Sequence, residues 1–458
     1  MVNTTFLFEM FSSIADRGRQ LLGREDDGGP GSRRASDVAD LCKTLLGGRG
    51  EASGAALALE SLDAYGSLDP ASRAEFFSAL ERDFGPDADA VSKAIERWKA
   101  SPSEKAATAI HFASEPRRQE LFRRLNRAPG GTAALVRMRA DLLDARAGKP
   151  DLATVDRDFE HLLSSWFNRG FLVLRRIDWS TPASILEKII RYEAVHAIRG
   201  WDDLRRRIDP VDRRCYAFFH PALVDEPLIF VEVALTSGIP AAIEPLLAET
   251  RDMVRLEKTT TAVFYSISNC QRGLAGISFG NFLIKQVVEE LRRELPKIET
   301  FVTLSPVNGF VRWLKSNLGA LSPEDQVMAG TLDDPGWANV PALAEKMRRA
   351  LEPMAAYYFL HGRTPGGRPF DPVARFHLGN GARLERLNWL GDRSPKAMTE
   401  SAGLMVNYLY DLDDIEQNHE AFANEGSTAA SGPVKKLVRS DLRQRLQNAA
   451  SSSTQSAS

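Results

Sequence analysis

A serine followed by a proline stands at the end of a short apolar run in the C-terminal half of this 458-residue chain. The run covers residues 301–304, and Ser305 and Pro306 follow it directly. Because proline ends a strand ladder, Ser305 is predicted to lie at a strand terminus, at the mouth of a pocket. A hydroxyl there can take part in catalysis. A serine before proline is more often turn chemistry or a helix cap, so both interpretations stay open.

Among the seven histidines, His377 has the context most compatible with chemistry. It stands between Phe376 and Leu378, and an Asn-Gly turn follows it at Asn380 and Gly381. An imidazole in this position can be half buried and still reach a ligand, and histidine is a common proton donor near neutral pH. A core histidine bonded to the backbone explains the same pattern, so the residues alone leave this choice open.

A third candidate is a turn between a predicted strand at 261–268 and a predicted helix at 281–295. The turn contains Gly273, Gly276 and Gly280. Glycines let the backbone approach an anion such as a pyrophosphate, and free N–H groups at a helix start favour negative charge. Arg272 and Lys285 would add positive charge. A turn that only packs a helix against a sheet is the alternative.

The elements that must position these residues form two regions with different patterns. Up to residue 168, apolar residues recur at three- and four-residue steps, which predicts seven or eight helices in a bundle. After residue 170, runs rich in β-branched and aromatic residues predict strands at 171–174, 228–235, 261–268 and 300–304, separated by amphipathic stretches. Residues 1–23 are predicted to form an amphipathic helix rather than a signal peptide.

These patterns predict an α+β multidomain chain. We expect an all-α bundle at 1–168, a mixed α/β domain at 169–424 and a polar, partly disordered tail at 425–458, with a short basic helix within it. The formal net charge of -2 gives no electrostatic reason to expect binding to nucleic acid or to an anionic membrane. No apolar run approaches the roughly 18 residues that span a bilayer.

The three cysteines also limit the function classes. Cys42, Cys215 and Cys270 lie far apart, without the spacing of metal ligands, and their odd number disfavours a disulfide framework. A reducing compartment fits this usage, so a cytoplasmic location is predicted.

The turn that follows the predicted strand at 261–268 resembles a known acyl-CoA loop. Its sequence, Gln271-Arg-Gly-Leu-Ala-Gly276, is similar to the pyrophosphate loop of the GNAT-type N-acetyltransferase fold. By this resemblance, an acyl pantetheine would lie where the strands at 261–268 and 300–304 splay apart.

A longer stretch, about residues 171–411, contains a set of short motifs. They are Tyr192-Glu-Ala-Val-His196, Arg214-Cys-Tyr216, Glu226-Pro-Leu228, Val233-Ala-Leu-Thr236, Phe264-Tyr-Ser-Ile-Ser268, Leu304-Ser-Pro306, Asn308-Gly-Phe310, Pro372-Val-Ala374, Phe376-His-Leu378, Asn380-Gly-Ala382, Asn388-Trp389, Gly403-Leu-Met405 and Asn407-Tyr408. Through these motifs the stretch resembles the malonyl-CoA decarboxylase family.

The family resemblance implies a GNAT-like catalytic domain and a helical domain used in oligomerisation, with tetramers as the assembly. It also implies a catalytic Ser/His pair, which falls on Ser305 and His377, and an active-site tyrosine at Tyr410. The coenzyme A pyrophosphate loop carries over to Ala275, Gly276, Ile277, Ser278, Phe279, Gly280 and Asn281. The chain departs from the family at Ser278, where relatives carry Glu, so no acidic role is carried over to that position.

The activity that follows is decarboxylation of malonyl-CoA to acetyl-CoA and carbon dioxide. The thioester carbonyl is itself an electron sink, so the chemistry needs no metal or organic cofactor. The enzyme must stabilise the enolate and deliver one proton to carbon, and the sequence leaves open the order in which Ser305 and His377 pass it. Two alternatives remain: an acyltransferase of the same fold, which would need an acceptor site, and a non-catalytic acyl-CoA sensor.

Overall fold

The computed structural model describes residues 34–48, 50–277, 283–364 and 366–455. The chain divides into two compact units. The helical unit comprises Met1–Val173, Phe219–Leu228 and Cys270–Gly280, and the sheet unit comprises Leu174–Phe218, Ile229–Asn269 and Asn281–Ser458. The helix predicted at residues 1–23 lies outside the described residues.

The helical unit contains eight α-helices within the described residues before 168, in agreement with the seven or eight expected. They are α1 Ala35–Leu46, α2 Glu51–Gly66, α3 Pro70–Asp83, α4 Ala88–Ala100, α5 Glu104–Ser114, α6 Arg117–Leu125, α7 Gly131–Ala145 and α8 Ala153–Trp166. Their apolar stripes meet in a core; Phe122 and Phe159, for example, stack with ring centroids 4.1 Å apart. The helical character of this region is therefore confirmed.

A mixed sheet follows the helices, and its described strands number eight. They are β1 Val173–Ile177, β2 Arg213–Phe219, β3 Pro227–Thr236, β4 Thr261–Asn269, β5 Thr300–Thr303, β6 Ser305–Pro306, β7 Arg383–Asn388 and β8 Met405–Leu409. The spatial order is β1-β2-β3-β4-β5-β8-β6, and β7 pairs with β8. The α+β class is thus confirmed, and the four strands expected from the sequence are present with shifted ends.

The chain loses one of its two neighbours between β5 and β6, because β5 lies between β4 and β8, with Val302 opposite Leu409 of β8. Strand β5 pairs in parallel with β4, in register from Thr261 opposite Thr300 to Phe264 opposite Thr303. The N–H of Leu304 still donates to the carbonyl of Phe264, at 3.0 Å. One residue later, Ser305 lies opposite Val406 in antiparallel pairing with β8. Strand β4 continues to Asn269 beside β3 alone, so the two parallel strands separate beyond Phe264.

The sheet unit carries the remaining α-helices of the described residues. They are α9 Ala183–Tyr192, α10 Trp201–Ile208, α11 Glu244–Leu247, α12 Leu283–Glu294, α13 Phe310–Ser316, α14 Pro323–Gly330, α15 Pro341–Leu360, α16 Pro372–Gly379, α17 Pro395–Ser401, α18 Ile415–Glu425, α19 Gly432–Leu437 and α20 Ser440–Gln455. Helix α12 buries the apolar face that its periodicity predicts, including Val287, Val288 and Leu291. The residues after 425, expected to form a polar tail, contribute the buried side chains Val434 and Leu442 to this unit.

The turn after α16 depends on a glycine. Gly381 has φ +81°, and a Cβ built on it would lie 2.0 Å from the carbonyl oxygen of Ile415. The N–H groups of Asn380 and Ala382 both donate to the carbonyl of His377, which closes the helix end. The turn therefore leaves no space for a side chain at residue 381.

We expect Gly381→Ala to lower the free energy of unfolding by about 3 kcal/mol, because positive-φ strain and a backbone clash add. The matched control is Gly426→Ala, where φ is +65° but no atom lies within 4 Å of the added Cβ. It should lose only about 1 kcal/mol, from backbone strain alone. Urea unfolding of both variants measures the difference; equal losses would show that the close approach at residue 381 is unimportant.

Candidate active site

The structure brings together three of the residues that the sequence singles out. Ser305 Oγ lies 3.4 Å from His377 Nε2, and His377 Nδ1 lies 2.7 Å from the Tyr410 hydroxyl. Each partner thus contacts a different ring nitrogen, so the imidazole bridges the two hydroxyl groups. Ser305 and His377 are 72 positions apart in the chain, and only the fold makes them neighbours.

His377 is more deeply buried than the half-buried position expected from the sequence. Its exposed fraction is 3%, and that of Tyr410 is 2%. Burial lowers the pKa of His377 to about 3, because a charged imidazolium would lose its hydration. Burial also raises the pKa of Tyr410 well above its ordinary value. Near neutral pH the site therefore holds a neutral imidazole and a neutral phenol.

Ser305 is positioned at the point where the chain leaves β4 and stays paired with β8. Its backbone pairs with β8, and its hydroxyl donates to Thr303 Oγ1 at 3.0 Å. Thr303 is fixed in turn by β8, since its Oγ1 accepts from the N–H of Tyr408 at 3.2 Å and its carbonyl from Asn407 Nδ2 at 2.8 Å. The serine hydroxyl therefore rests on a rigid part of the sheet.

His377 is positioned by the short helix α16. Asp371 caps the helix by accepting from the N–H of Ala374 at 2.8 Å, and Pro372 occupies the first turn, where its missing N–H has no consequence. The imidazole lies in the last turn and stacks on the ring of Tyr408, with centroids 4.6 Å apart. The ring orientation is thus set by the helix end and by β8.

A cavity of about 830 Å³ opens on the Ser305–His377 pair. All of its lining residues belong to the sheet unit. Phe264, Tyr265 and Ile267 line it from β4, and Ser305 lines it from β6. The cavity therefore includes the place where the two strands separate, and it has room for a group much larger than a malonyl unit.

The predicted pyrophosphate loop is only partly described. Ala275, Gly276 and Ile277 form a tight turn after β4, whereas Ser278, Phe279, Gly280 and Asn281 lie outside the described residues. The N–H groups of Ala275 and Ile277 donate to the carbonyls of Arg272 and Leu274, both at 3.0 Å. Those two donors are therefore occupied within the turn.

Gly273 and the two cations that the sequence suggested, Arg272 and Lys285, have structural partners. A Cβ on Gly273 would lie 1.8 Å from the carbonyl oxygen of Val136, so this glycine permits packing on α7. Arg272 pairs with Asp144, and Lys285 pairs with Glu416. At Gly273 the packing explanation is therefore correct, and anion binding there is not needed to explain the glycine.

The turn is held by an arginine that the sequence patterns did not reveal. Arg139 is 1% exposed and donates to the carbonyls of Gly273 and Ala275, at 2.9 and 2.8 Å. Its charge is balanced by Asp156 and Glu160, at 2.8 and 3.0 Å. Because Arg139 precedes the turn by more than a hundred residues, no local motif links them.

Comparisons with known proteins identify the family of this chain. The family model for the malonyl-CoA decarboxylase C-terminal domain matches residues 170–448, and the model for the N-terminal domain matches residues 84–167. The chain belongs to the malonyl-CoA decarboxylase family. Two members named as mitochondrial malonyl-CoA decarboxylases, from Anser anser anser and Rattus norvegicus, are 37% and 35% identical to it over 412 residues. That alignment covers 82% of this chain and 81% and 83% of the respective relatives.

Solved structures of bacterial family members are also similar. The crystal structure of malonyl-CoA decarboxylase from Rhodopseudomonas palustris has 58% sequence identity and a TM-score of 0.86, and covers 88% of this chain and 99% of that one. The protein from Agrobacterium vitis has 60% identity, a TM-score of 0.83 and the same coverage. Membership of the family therefore rests on sequence and on fold together.

The described residues show neither a metal-binding cluster nor a helix suited to cross a membrane. Within the ranges that the structure describes, no group of three His, Cys, Asp or Glu side chains is arranged to hold a metal ion. None of the described helices combines the length and apolar character that a bilayer crossing requires.

Removing the hydrogen bonds that Arg139 donates should make the turn at residues 273–277 more mobile. Arg139→Lys keeps the positive charge that pairs with Asp156. A lysine ammonium cannot donate to the carbonyls of Gly273 and Ala275 together, as the forked guanidinium does. Losing two hydrogen bonds should speed hydrogen–deuterium exchange at Leu274, Ala275 and Ile277 by about tenfold or more. Arg157→Lys, on the exposed side of α8, is the control and should leave exchange unchanged. Equal exchange in both variants would contradict this role for Arg139.

Burial of neutral His377 should make stability depend on pH. The unfolded chain binds a proton at His377 below about pH 6.5, whereas the folded chain does not until about pH 3, so stability falls as pH drops through this window. Relative to His377→Asn, the wild type should lose about 1.4 kcal/mol per pH unit between about pH 6 and pH 4. Urea unfolding at several pH values measures this, with exposed His161→Asn as control. A pH-independent difference would contradict the low pKa.

Proposed function

We propose that this chain catalyses the decarboxylation of malonyl-CoA to acetyl-CoA and carbon dioxide, as a carboxy-lyase, with Ser305, His377 and Tyr410 as its catalytic residues. The observation that carries the proposal is the bridging of Ser305 and Tyr410 by one buried imidazole at the wall of a cavity. The names of the family members, malonyl-CoA decarboxylases from animals and bacteria, supply the substrate.

We further propose that the sheet unit has the GNAT-like fold and that pantetheine enters where β4 and β5 separate. Support comes from their parallel pairing, in register up to Phe264 opposite Thr303, and from Ser305, which no longer pairs with β4 but lies opposite Val406 of β8. Tyr265 and Ile267 of β4, beyond this point, line the cavity. The loop from Ala275 to Asn281 is proposed to hold the pyrophosphate.

The reaction needs charge stabilisation and one proton. When the carbon–carbon bond breaks, its electron pair moves into the thioester, and the resulting enolate is a strong carbon base. Fixed donors in a water-poor pocket stabilise the developing charge more than bulk water does. The described groups that contact the His377 ring nitrogens, Ser305 and Tyr410, are uncharged, so they do not place a negative charge beside the substrate carboxylate.

Three further statements remain predictions. Functional domain boundaries are proposed at residues 168 and 424. The helical part before residue 168 is proposed to assemble the chain into tetramers, and sedimentation velocity tests this assembly. A cytoplasmic location is also still a prediction, since the animal relatives are named as mitochondrial. Binding to nucleic acid or to membranes is not expected from the balanced charge of the chain.

The test is release of carbon dioxide from malonyl-CoA by the purified protein with no acyl acceptor present. Ser305→Ala and His377→Asn should each lower kcat by about a hundredfold or more, because each removes a group that acts on the reacting atoms. Controls are Ser61→Ala, a buried serine of the helical unit, and exposed His161→Asn. Near-native turnover by folded Ser305→Ala and His377→Asn would overturn the dyad. Turnover that requires an acceptor would favour an acyltransferase.

A further inference from the structure

Thr303 lies next to the proposed catalytic residues and is not one of them. It is fully buried, and its hydroxyl lies 3.0 Å from Ser305 Oγ. In this contact Ser305 is the donor and Thr303 Oγ1 the acceptor. The second lone pair of Thr303 Oγ1 accepts the N–H of Tyr408 at 3.2 Å, a group that can only donate. Thr303 therefore receives two protons from its neighbours, one of which belongs to Ser305.

This direction has a consequence for the imidazole. A serine hydroxyl has a single proton, and once that proton points at Thr303, Ser305 Oγ can face His377 only as an acceptor. The contact at 3.4 Å is then a bond from Nε2–H to Ser305. Because a neutral imidazole carries one N–H, Nδ1 must be bare and must accept the Tyr410 proton across 2.7 Å. The hydrogen bonds run from Tyr410 through His377 and Ser305 to Thr303.

We propose that Thr303 is a positioning residue that holds His377 in the Nε2–H form and so makes this nitrogen the proton donor to the enolate carbon. The inference rests on the proposed decarboxylase function and settles the direction of proton transfer within it. As carbon dioxide leaves, the Nε2–H bond breaks and a C–H bond forms at the enolate carbon. Nδ1 takes the proton of Tyr410 in the same step. Once the product has left, Nε2 takes a proton from water in the cavity and Nδ1 returns its proton to Tyr410, which restores the starting form. One proton is consumed per malonyl thioester, as the overall reaction requires.

The geometry of β5 and β8 makes Thr303 suited to this role. Its side chain is inaccessible to water, so no solvent molecule competes with Ser305 for the lone pair of the Thr303 hydroxyl. Its backbone is tied to β8 through Asn407, which donates to the Thr303 carbonyl at 2.8 Å. A threonine on a mobile loop would not fix the direction of the hydrogen bond with Ser305. Thr303 lies on a paired strand, so the same lone pair of its hydroxyl faces Ser305.

The decisive variants are Thr303→Val, which keeps the shape but removes the acceptor, and Thr303→Ser, which keeps the hydroxyl. In Thr303→Val the Ser305 proton is free to turn towards His377 Nε2. This favours the Nδ1–H form of His377, in which Nε2 has no proton to donate to the enolate carbon. We expect kcat to fall by about tenfold to a hundredfold while KM changes by less than about threefold. Thr303→Ser should stay within about threefold of the wild type in both constants.

Nitrogen-15 NMR of histidine-labelled protein reads the tautomer directly, with the His377 signals identified by their loss in His377→Asn. The wild type and Thr303→Ser should show His377 protonated at Nε2, and Thr303→Val should show a mixture or the Nδ1–H form. A wild-type His377 protonated at Nδ1 would overturn the proposal, even if Thr303→Val fails to fold. Unchanged kcat in folded Thr303→Val would also overturn it.

The result also separates this proposal from the function on which it rests. If Ser305→Ala and His377→Asn are inactive while Thr303→Val equals the wild type, only the role of Thr303 is wrong. If Ser305→Ala and His377→Asn turn over malonyl-CoA normally, the proposed dyad fails whatever the tautomer.

Discussion

The arrangement of the candidate site depends on the point in the sheet where one strand pairing ends. Backbone groups buried in a sheet must be paired; β5 pairs with both β4 and β8, and the chain after Leu304 leaves β4 but stays paired with β8. The end of the pairing with β4 opens the space between β4 and β5 beside Ser305. It also makes β8 the common support of the site, because β8 binds Thr303, stacks Tyr408 on His377 and leads directly to Tyr410.

The pairing of these strands also determines the protonation state of His377. The residues gathered around His377 are buried on rigid strands, so its imidazole is neutral and its two nitrogens have separate hydroxyl partners. A neutral imidazole is a weak acid in water, but it is a competent hydrogen-bond donor in a pocket where charge develops on the substrate. We therefore attribute the proposed chemistry to fixed hydroxyl and N–H dipoles rather than to a pre-existing positive charge.

The sequence predicts some strands well and misses others for identifiable reasons. Strands β4 and β5 lie within one residue of their predicted ends, because both are runs of β-branched and aromatic residues. Strand β2 was missed because it begins with two arginines, whose charges are met in the fold by Asp212 and Glu294. Strand β8 was missed because it is short and contains Asn407, a residue disfavoured in strands that here is bonded to the Thr303 carbonyl.

The site itself was predictable only in part. Ser305 stands out because it precedes a proline, and His377 because of its apolar neighbours, but nothing local indicates that they meet. Tyr410 was expected only through the family resemblance. The partners that hold these groups, Thr303 and Arg139, have no sequence signal at all, since their roles arise from pairing across strands and from contacts between segments far apart in the chain.

The most direct test of the central claim is the crystal structure of this chain with a non-decarboxylating analogue of malonyl-CoA. The account predicts that the pantetheine runs between β4 and β5 and that the reacting carbon lies within about 4 Å of His377 Nε2, the separation needed for proton transfer. An analogue that binds with its acyl end away from Ser305 and His377 would contradict the claim that the separation of these strands creates the active site.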